Sequence, residues 1–475
     1  MKKIGFGCLL ALVVVSCSPG DPPPAPAHSE QPNVIIVLVD ALRADRLGTY
    51  GFDARPTSPN LDEFATRSVV FERAISQDGW TVPSVASLFT GVYPRTHGVL
   101  RFIEPKVHLE GQIDGAGPVM MDAMSLDHQT LAEQFSAAGY STAAILKSDV
   151  INAGRGFEQG FDFFHFLAKK PKDRLDSGAQ MTDAAIDWLD DRSSDDRPFF
   201  LYLHYMDPHT SYIAPEPFYS KYSTGFDSEL DGNHAGVVAF NEPGSPEPTA
   251  DDIGKLLALY DAEIEYWDTQ FGRLMEHVEA TGLAGDSIVV VTADHGEAFW
   301  EHGMFEHRGV FQENIHVPMI LRIPGIGPRR IGTWVQMIDI GPTLTELAGV
   351  PSGDHWVARS HAAAIRDGAE VADDIVYSEW AGERTIIEPS GLKLLIGHGE
   401  PRLYDLVTDP GEQVNLADPD DQESFRPEDL ARIGIELDRI IAENEALASV
   451  FSAAEQAELS EDQIEALRAL GYLGD

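Results

Sequence analysis

The chain is poor in cysteine and in basic residues, and both shortages exclude classes of function. Its two cysteines among 475 residues are Cys8 and Cys17. The rest of the chain therefore has no disulfide framework and no thiol chemistry. The 34 Lys and Arg residues face 77 Asp and Glu, a formal charge of −43. This surplus of negative charge disfavours nucleic acid and anionic membrane surfaces as partners.

Long apolar runs are also scarce. The run at residues 4–15 follows Lys2 and Lys3, ends just before Ser16 and Cys17, and is too short for a stable membrane span. It resembles a bacterial lipoprotein signal; the alternative is an ordinary secretory signal with a chance cysteine. The resemblance implies lipidation of Cys17 and a location in the bacterial cell envelope outside the cytoplasm. We predict a signal peptide at 1–16, a Pro-rich tether at 17–32 and membrane attachment through the lipid only.

Strand and helix patterns alternate along the rest of the chain. Near-continuous apolar runs are typical of strands buried in a parallel sheet. These predicted strands are 33–39, 141–146, 199–205, 287–291 and 317–323. The predicted helices are 60–67, 84–90, 129–138, 251–280 and 340–348. The pattern predicts an α/β fold with a mostly parallel central sheet, and the polar stretches 107–127 and 222–250 are interpreted as surface insertions.

Acids and histidines follow three of the predicted strands. Asp40 ends the first, His209 lies in the polar turn after the run 199–205, and Asp294 and His295 follow the run 287–291. Carboxyl ends of parallel strands meet at one edge of a sheet, where carboxylate and imidazole can share a divalent ion. A solvated polar loop is the alternative for the Asp294 and His295 pair.

Thr81 is the candidate nucleophile. It lies where a loop enters the helical pattern, with Pro83 in the tolerated first turn. A hydroxyl at this place faces free amide donors, and contact with a metal would make its alkoxide accessible. The alternative is that Thr81 only caps the helix.

The motifs together resemble the sulfatase family of the alkaline phosphatase superfamily, from residue 33 to about residue 417. The segments that carry the resemblance are NVIIVLVDALRADRLGTYG at 33–51, TVPSVASLFTGVYPRTHG at 81–98, TADHGEAFWEHG at 292–303 and LYDLVTDPGEQVNL at 403–416. The resemblance implies an alkaline-phosphatase-like three-layer sandwich. We predict a catalytic domain at 33–350, a small α+β subdomain at 351–430 and a helical tail at 431–475.

Site roles carried over from the family fall on matching positions. The implied metal ligands are Asp40, Thr81, Asp294 and His295, and the implied catalytic residues are Thr81, His209 and His307. The implied substrate-binding residues are His209, His307 and Lys147, the last with weaker local agreement. For His302 a structural and a catalytic role both stay open.

Three positions depart from the family pattern. Thr81 stands where sulfatases carry Cys or Ser, Val85 where they carry Arg, and Ala41 where a second acid is expected. Threonine cannot become the aldehyde formylglycine, so no formylglycine is expected. A phosphothreonine can still be hydrolysed or passed to an acceptor. We therefore expect one divalent ion, Mn²⁺, Zn²⁺ or Ca²⁺, and an anionic ester as substrate.

The expected reaction is cleavage or transfer of a phosphate mono- or diester through Thr81. Two alternatives stay open: a sulfuric ester hydrolase, and an inactive surface module that binds glycans or lipid head groups. The sequence does not identify the leaving group, because specificity in such folds lies in loops. It does not identify the oligomeric state either.

Overall fold

An eight-stranded sheet forms the centre of the protein. The structure is a computed structural model that describes residues 31–100, 102–103, 120–148, 150–167, 177–371, 374–461 and 463–464. The strands in chain order are β1 (Asn33–Val39), β2 (Val69–Ile75), β3 (Phe102–Ile103), β4 (Met120–Ala123), β5 (Ser141–Leu146), β6 (Phe163–Phe166), β7 (Phe199–Tyr205), β8 (Ser287–Thr292), β9 (Ala298–Phe299), β10 (Phe305–Glu306), β11 (His316–Arg322), β12 (Arg329–Gln336), β13 (Val376–Trp380), β14 (Glu383–Ile387), β15 (Leu392–Ile396), β16 (Arg402–Asp405) and β17 (Glu455–Glu458).

The central sheet is mostly parallel. Its strand order is β12-β2-β11-β8-β1-β7-β5-β6, and β11 runs antiparallel to its neighbours β2 and β8. Strand β1 lies in the middle and pairs in parallel with both β7 and β8. From Val34 to Val39 its side chains are fully buried, and burying each large aliphatic chain stabilises the fold by about 1.5–3 kcal/mol.

Helices cover both faces of this sheet. They are α1 (Pro59–Ala65), α2 (Thr81–Thr90), α3 (Pro94–His97), α4 (Leu131–Ala137), α5 (Ser177–Asp191), α6 (Phe218–Tyr222), α7 (His234–Val238), α8 (Ala250–Ala280), α9 (Gln312–Ile315), α10 (Ile340–Ala348), α11 (Ala362–Asp367) and α12 (Pro427–Ala448). Successive side chains of a strand point to opposite faces, and the aromatic side chains of β7 pair with helices on each face in turn. The pairs are Phe199 with Trp188 of α5 and Tyr205 with Trp267 of α8 on one face, and Phe200 with Phe135 of α4 and Tyr202 with Phe89 of α2 on the other. The three-layer α/β prediction is confirmed.

Most predicted elements agree with the observed bounds. Strands β1, β5 and β7 and helix α10 match the predicted ranges, and α8 begins one residue before the predicted 251–280. Helix α2 begins three residues before the predicted 84–90. Its first turn contains Pro83, whose missing N–H costs nothing there.

A second sheet follows the central sheet along the chain. Strands β13 to β16 form a four-stranded antiparallel sheet in sequence order. Helix α12 packs against β15 and α3 and crosses the predicted boundary between residues 430 and 431. Strand β17 returns to pair with β4. The predicted domain limits stay predictions.

The predicted signal peptide, Cys17 and almost all of the tether lie outside the described residues. Across the described ranges, no helix combines the length and the hydropathy needed to cross a membrane.

A buried ion pair joins the second sheet to the main body. Lys393 on β15 lies 2.6 Å from Glu412 and donates to the carbonyl of Val310, also at 2.6 Å. Glu412 accepts a hydrogen bond from the backbone N–H of Gln312 at 2.6 Å. Both charged side chains are fully buried, so each depends on the other for compensation.

We expect Lys393→Met to destabilise the protein by about 3–5 kcal/mol, because it leaves the Glu412 carboxylate buried without its counter-ion. The measurement is the thermal melting temperature of the purified protein. Adding Glu412→Gln to Lys393→Met should recover part of the loss. An unchanged melting temperature for Lys393→Met alone would contradict the conclusion that Lys393 compensates the buried charge of Glu412.

Candidate metal and nucleophile site

Two carboxylates meet at the carboxyl edge of the central sheet. Leu38 of β1 pairs with Thr292 of β8, so Asp40 and Asp294, each two residues further along, reach the same edge. Both are fully buried. Asp294 Oδ1 accepts hydrogen bonds from the backbone N–H groups of Ala41, at 3.2 Å, and His295, at 3.0 Å.

The other oxygens of this pair suit a divalent cation. Within the described part of the chain, Asp40 Oδ1 and Asp294 Oδ2 are buried and have no hydrogen-bond partner. They lie 3.5 and 3.6 Å from His295 Nε2. His295 Nδ1 lies 2.8 Å from the carbonyl of Gly296, so Nδ1 carries the hydrogen and the Nε2 lone pair is available to a metal. Buried acceptors with no donor are costly unless a cation binds them.

Thr81 lies beside this cluster. Its Oγ1 is 3.1 Å from His295 Nε2, and the residue is fully buried. It is the first residue of α2; the residue before it, Trp80, holds the cap position, and no side chain caps the helix. The geometry therefore does not support a role for Thr81 as a helix cap. Ser84, one turn further on, donates to the carbonyl of Asp294 at 2.5 Å and fastens α2 to the loop that carries Asp294.

His204 is a candidate metal ligand that the sequence analysis missed. Its Nε2 lies 3.4 Å from Asp40 Oδ2, and its Nδ1 lies 2.9 Å from the hydroxyl of Tyr202. Ligand atoms of Asp40, His204 and Asp294 all lie within 4.8 Å of one another. The available signal was a single histidine inside the apolar run 199–205. Hydrophobicity alone assigns that histidine to the core of the protein.

His209 and His307 lie together beside His295, one of the candidate metal ligands. Their ring centroids are 5.0 Å apart, and His307 lies 4.5 Å from the ring of His295. Burial lowers the pKa of His209. Burial, with the neighbouring His295, lowers the pKa of His307 to about 3. Both shifts disfavour the protonated form of the ring.

Glu297 lies beside His307 and is a second residue that the sequence analysis missed. Glu297 is fully buried, and its Oε1 lies 3.3 Å from His307 Nδ1. Burial raises the pKa of Glu297 to about 7.

The acids and His295 respond to burial and to each other. Burial raises the pKa of Asp294, and the charge of Asp40 raises it further. Burial also acts to raise the pKa of Asp40, but the nearby imidazoles, His209 first, hold it below its ordinary value. For His295, attraction to Asp294 and Asp40 outweighs burial and raises the pKa. The two acids thus favour positive charge on His295.

Two further positions were singled out by the sequence. Lys147 follows β5 at the same edge of the sheet, is fully buried, and donates to Gln180 Oε1 of α5 at 2.7 Å. Its role in substrate binding stays a prediction. His302 stacks on Phe311 with ring centroids 3.6 Å apart and lies 2.6 Å from Glu313 Oε1. These contacts favour the structural role for His302.

The insertion at 222–250 is fastened to the loop that carries His307. His234 Nε2 lies 2.9 Å from Glu306 Oε1. The side chain of Asn241 exchanges two hydrogen bonds with the backbone of Phe305, at 2.9 and 3.2 Å. Glu306 has a positive φ of 69°, a conformation that costs energy for a residue with a side chain. The insertion therefore supports the turn just before His307.

Known protein families and individual proteins are similar to this chain over most of its length. The Sulfatase family model matches residues 32–350, and the model described as N-sulphoglucosamine sulphohydrolase, C-terminal, matches residues 300–432. Iduronate 2-sulfatase of Homo sapiens is 28% identical over 427 residues, covering 73% of this chain and 74% of that protein. Choline-sulfatase of Rhizobium meliloti (strain 1021) is 25% identical over 447 residues, covering 82% of this chain and 83% of that protein.

Solved structures show the same fold. Phosphonate monoester hydrolase of Agrobacterium radiobacter superposes with a TM-score of 0.68 at 20% identity, covering 88% of this chain and 96% of that one. A structure in complex with its substrate D-glucosamine-2-N,6-O-disulfate superposes with a TM-score of 0.67 at 18% identity, covering 89% and 99% of the two chains.

We expect a chelator to lower the melting temperature of the purified protein, and Mn²⁺ or Zn²⁺ to restore it. A ligand at about 100 times its dissociation constant stabilises a protein by about 2.7 kcal/mol. The variants Asp294→Asn and His204→Leu should each weaken metal binding by at least about tenfold, the scale known for residues that merely orient ligands. Calorimetric titration measures the affinity.

The matched control is His97→Leu, a buried histidine that contacts Ser87 instead of the acids. It should leave the metal affinity unchanged even if it lowers stability. Equal metal affinity in His204→Leu and the unaltered protein would remove His204 from the ligand set.

Proposed function

Since this chain belongs to the sulfatase family, whose model covers residues 32–350, we propose that it is a metal-dependent ester hydrolase or transferase that acts on phosphate mono- or diesters through Thr81. The observation that carries the proposal is the position of the Thr81 hydroxyl. It lies at the first residue of α2, buried, 3.1 Å from His295 Nε2. A hydroxyl that only capped the helix would face the helix amides instead.

The residues fit a divalent ion held by Asp40, Asp294 and His295, with Thr81 Oγ1 and His204 at its side. When bound, such an ion supplies positive charge that lowers the pKa of a neighbouring hydroxyl and offsets charge on substrate oxygens. Imidazole donors beside carboxylates suit Mn²⁺ or Zn²⁺ at least as well as Ca²⁺.

The reaction has two displacements at phosphorus. Thr81 Oγ1 loses its hydroxyl proton to solvent and forms a bond to phosphorus while the bond from phosphorus to the leaving oxygen breaks, and that oxygen takes a proton from the protonated ring of His209 or His307. The N–H groups in the first turn of α2 lack intrahelical acceptors and stabilise the negative oxygens of the transferred group. Water or an acceptor hydroxyl then attacks the phosphothreonine, gives its proton back to the histidine, and frees Thr81.

The chemistry of threonine favours phosphate over sulfate. Its β-carbon carries a methyl group, so oxidation cannot give the aldehyde whose hydrate expels sulfate. A threonyl sulfate would need attack at sulfur for its release. Val85, buried on α2, also supplies no guanidinium to grip an anion.

A sulfuric ester hydrolase is the second candidate. The relatives reported above include proteins named iduronate 2-sulfatase and choline-sulfatase, at 28% and 25% identity. In this case His209 or His307 would donate a proton to the leaving oxygen of a sulfate ester. We also propose that the enzyme works in the cell envelope, anchored through Cys17, on the strength of the leader sequence alone.

Turnover of aryl phosphate mono- and diesters should fall by at least about 1,000-fold in Thr81→Ala, since the variant loses its nucleophile. Thr81→Ser keeps a hydroxyl and should keep measurable turnover. The assay uses the protein loaded with Mn²⁺, Zn²⁺ or Ca²⁺ and compares each aryl phosphate with the aryl sulfate of the same leaving group. Mass spectrometry of acid-quenched enzyme should find one phosphoryl group on Thr81.

Each other outcome has a definite reading. Turnover of the sulfate alone overturns the phosphate proposal in favour of the sulfuric ester hydrolase. Full activity in Thr81→Ala overturns the nucleophile. Metal binding with no turnover of any ester favours a binding module.

A further inference from the structure

Two segments of the chain carry the acids of the candidate metal site to one place. The first segment, residues 40–46, follows β1 and contains Asp40. The second segment, residues 293–301, follows β8 and contains Asp294. Arg43 belongs to the first segment and is only 6% exposed. Its guanidinium reaches the second segment and joins the two.

The guanidinium of Arg43 binds both segments at once. On the second segment, Nη1 donates to the carbonyl of Glu297 at 2.9 Å and to Glu301 Oε1 at 2.5 Å. On the first segment, Nε and Nη2 donate to the two oxygens of Asp45 at 2.8 and 2.7 Å. A planar guanidinium holds such partners in fixed directions, which a Lys ammonium cannot do. Arg43 therefore fixes both the distance and the orientation between the two segments.

Tyr260 of α8 holds the backbone of the first segment. Its hydroxyl donates to the carbonyl of Ala41 at 2.7 Å and accepts from the backbone N–H of Arg43 at 2.9 Å. Ala41, which directly follows Asp40, has a positive φ of 60°, and such a conformation persists only where surrounding contacts hold it. The N–H of Ala41 donates to Asp294 Oδ1 at 3.2 Å. The strained turn therefore connects the two acids, and Tyr260 supports it.

The second segment is closely packed where Arg43 meets it. A Cβ on Gly296 would lie 2.1 Å from the carbonyl oxygen of Glu313 and 3.2 Å from Arg43 Cγ. Only glycine permits this close approach. Glu301 is also held within the segment, since its Oε2 accepts from the backbone N–H of Phe299 at 2.5 Å. The groups that Arg43 binds are therefore themselves fixed in place.

A metal site built on two carboxylates needs such support. Carboxylates that share one cation carry like charges, and their repulsion is strongest in a buried place, where little water screens it. Asp40 and Asp294 are both fully buried. Contacts that orient the ligands before the ion arrives raise the affinity for the ion, because the ligands need no further ordering. The bonds of Arg43 and Tyr260 are contacts of this kind.

We propose that Arg43 and Tyr260 are positioning residues of the metal site, which hold Asp40 and Asp294 at the separation at which both bind one divalent ion. The inference rests on the proposed function for the presence of the ion. It adds two residues that act through the backbone of the two segments, and it applies equally to a phosphate and to a sulfate ester.

Arg46 and Tyr266 provide matched controls. Arg46 is also in the first segment, and its Nε and Nη2 donate to the buried carboxylate of Asp261 at 2.9 and 2.6 Å. This ion pair ties the first segment to α8 instead of to the second segment. Tyr266, also on α8, accepts from the backbone N–H of Ala179 in α5 at 3.0 Å. Arg46→Lys and Tyr266→Phe therefore remove bonds of the same kind at other places.

The test is calorimetric titration of the folded, metal-free protein with Mn²⁺ or Zn²⁺. Arg43→Lys keeps the positive charge and Tyr260→Phe keeps the ring, and each should weaken metal binding by about 10–100-fold, the range known for residues that orient ligands. Arg46→Lys and Tyr266→Phe should bind the ion as tightly as the unaltered protein, even if they melt at a lower temperature. A loss of overall stability alone does not change the affinity of protein that is still folded.

Two results would overturn the inference. One is an unchanged metal affinity in Arg43→Lys and Tyr260→Phe. The other is an equal loss of affinity in Arg46→Lys, because the effect would then come from a general loosening of the first segment. If the affinities change as expected while no phosphate ester is hydrolysed, the inference is supported and the proposed phosphate chemistry fails.

Hydrogen exchange tests the contact between the segments without a metal. In the metal-free protein, amide exchange over residues 293–301, followed by mass spectrometry of peptides, should be at least about tenfold faster in Arg43→Lys than in the unaltered protein. Arg46→Lys should leave the exchange of this segment unchanged. Exchange at the unaltered rate in Arg43→Lys would contradict the inference, whichever ester the enzyme hydrolyses.

Discussion

Two like charges buried side by side are the constraint on which the site depends. The parallel pairing of β1 with β8 carries Asp40 and Asp294 to the same edge of the sheet, and one oxygen of each has no donor among the residues that the structure describes. Removing an ionised carboxylate from water costs several kcal/mol even after the protein relaxes. Neighbouring acids can share such a place only with a cation or with protonated imidazoles between them, and the surrounding histidines are arranged for both.

The orientation of those histidines follows one rule. Each of the four buried rings directs Nδ1 to an oxygen of the protein. The partners are the carbonyl of Gly296 for His295, the carbonyl of Thr210 for His209, the hydroxyl of Tyr202 for His204 and the carboxylate of Glu297 for His307. Nε2 of His204 and of His295 thereby faces Asp40, at 3.4 and 3.5 Å. Such outer contacts fix ring orientation before any ligand arrives, which lowers the cost of binding.

The sequence predicts the fold well because parallel strands buried on both faces are continuous apolar runs, and their ends show where polar residues collect. It predicts Asp40, Asp294 and His295 as neighbours for the same reason. This argument does not predict His204, because His204 lies inside a strand and not at its end. Only the pairing of strands shows that His204 reaches Asp40. This argument does not predict the role of Glu297 either, because its partners His307 and Thr210 lie 10 and 87 residues away along the chain.

Thr81 illustrates the limit of local patterns in another way. Its position at the start of a helix is compatible with a cap and with a nucleophile, and nothing within a few residues distinguishes the two. The distinction comes from Ser84, which fastens α2 to the carbonyl of Asp294 and thereby brings the threonine hydroxyl to His295. A contact between elements more than 200 residues apart cannot be read from either segment alone.

The second sheet belongs to the support of the site, although sequence places it outside the catalytic domain. Glu412, held by Lys393, binds the backbone N–H of Gln312 at the start of α9. The next residue, Glu313, accepts the backbone hydrogen bond of Glu297. The chain of contacts thus runs from a buried ion pair in the C-terminal region to the carboxylate beside His307. Because the links are hydrogen bonds and a buried ion pair, a displacement of β15 would reach Glu297 and His307. A fold of this kind can vary its surface loops freely only while these contacts are kept.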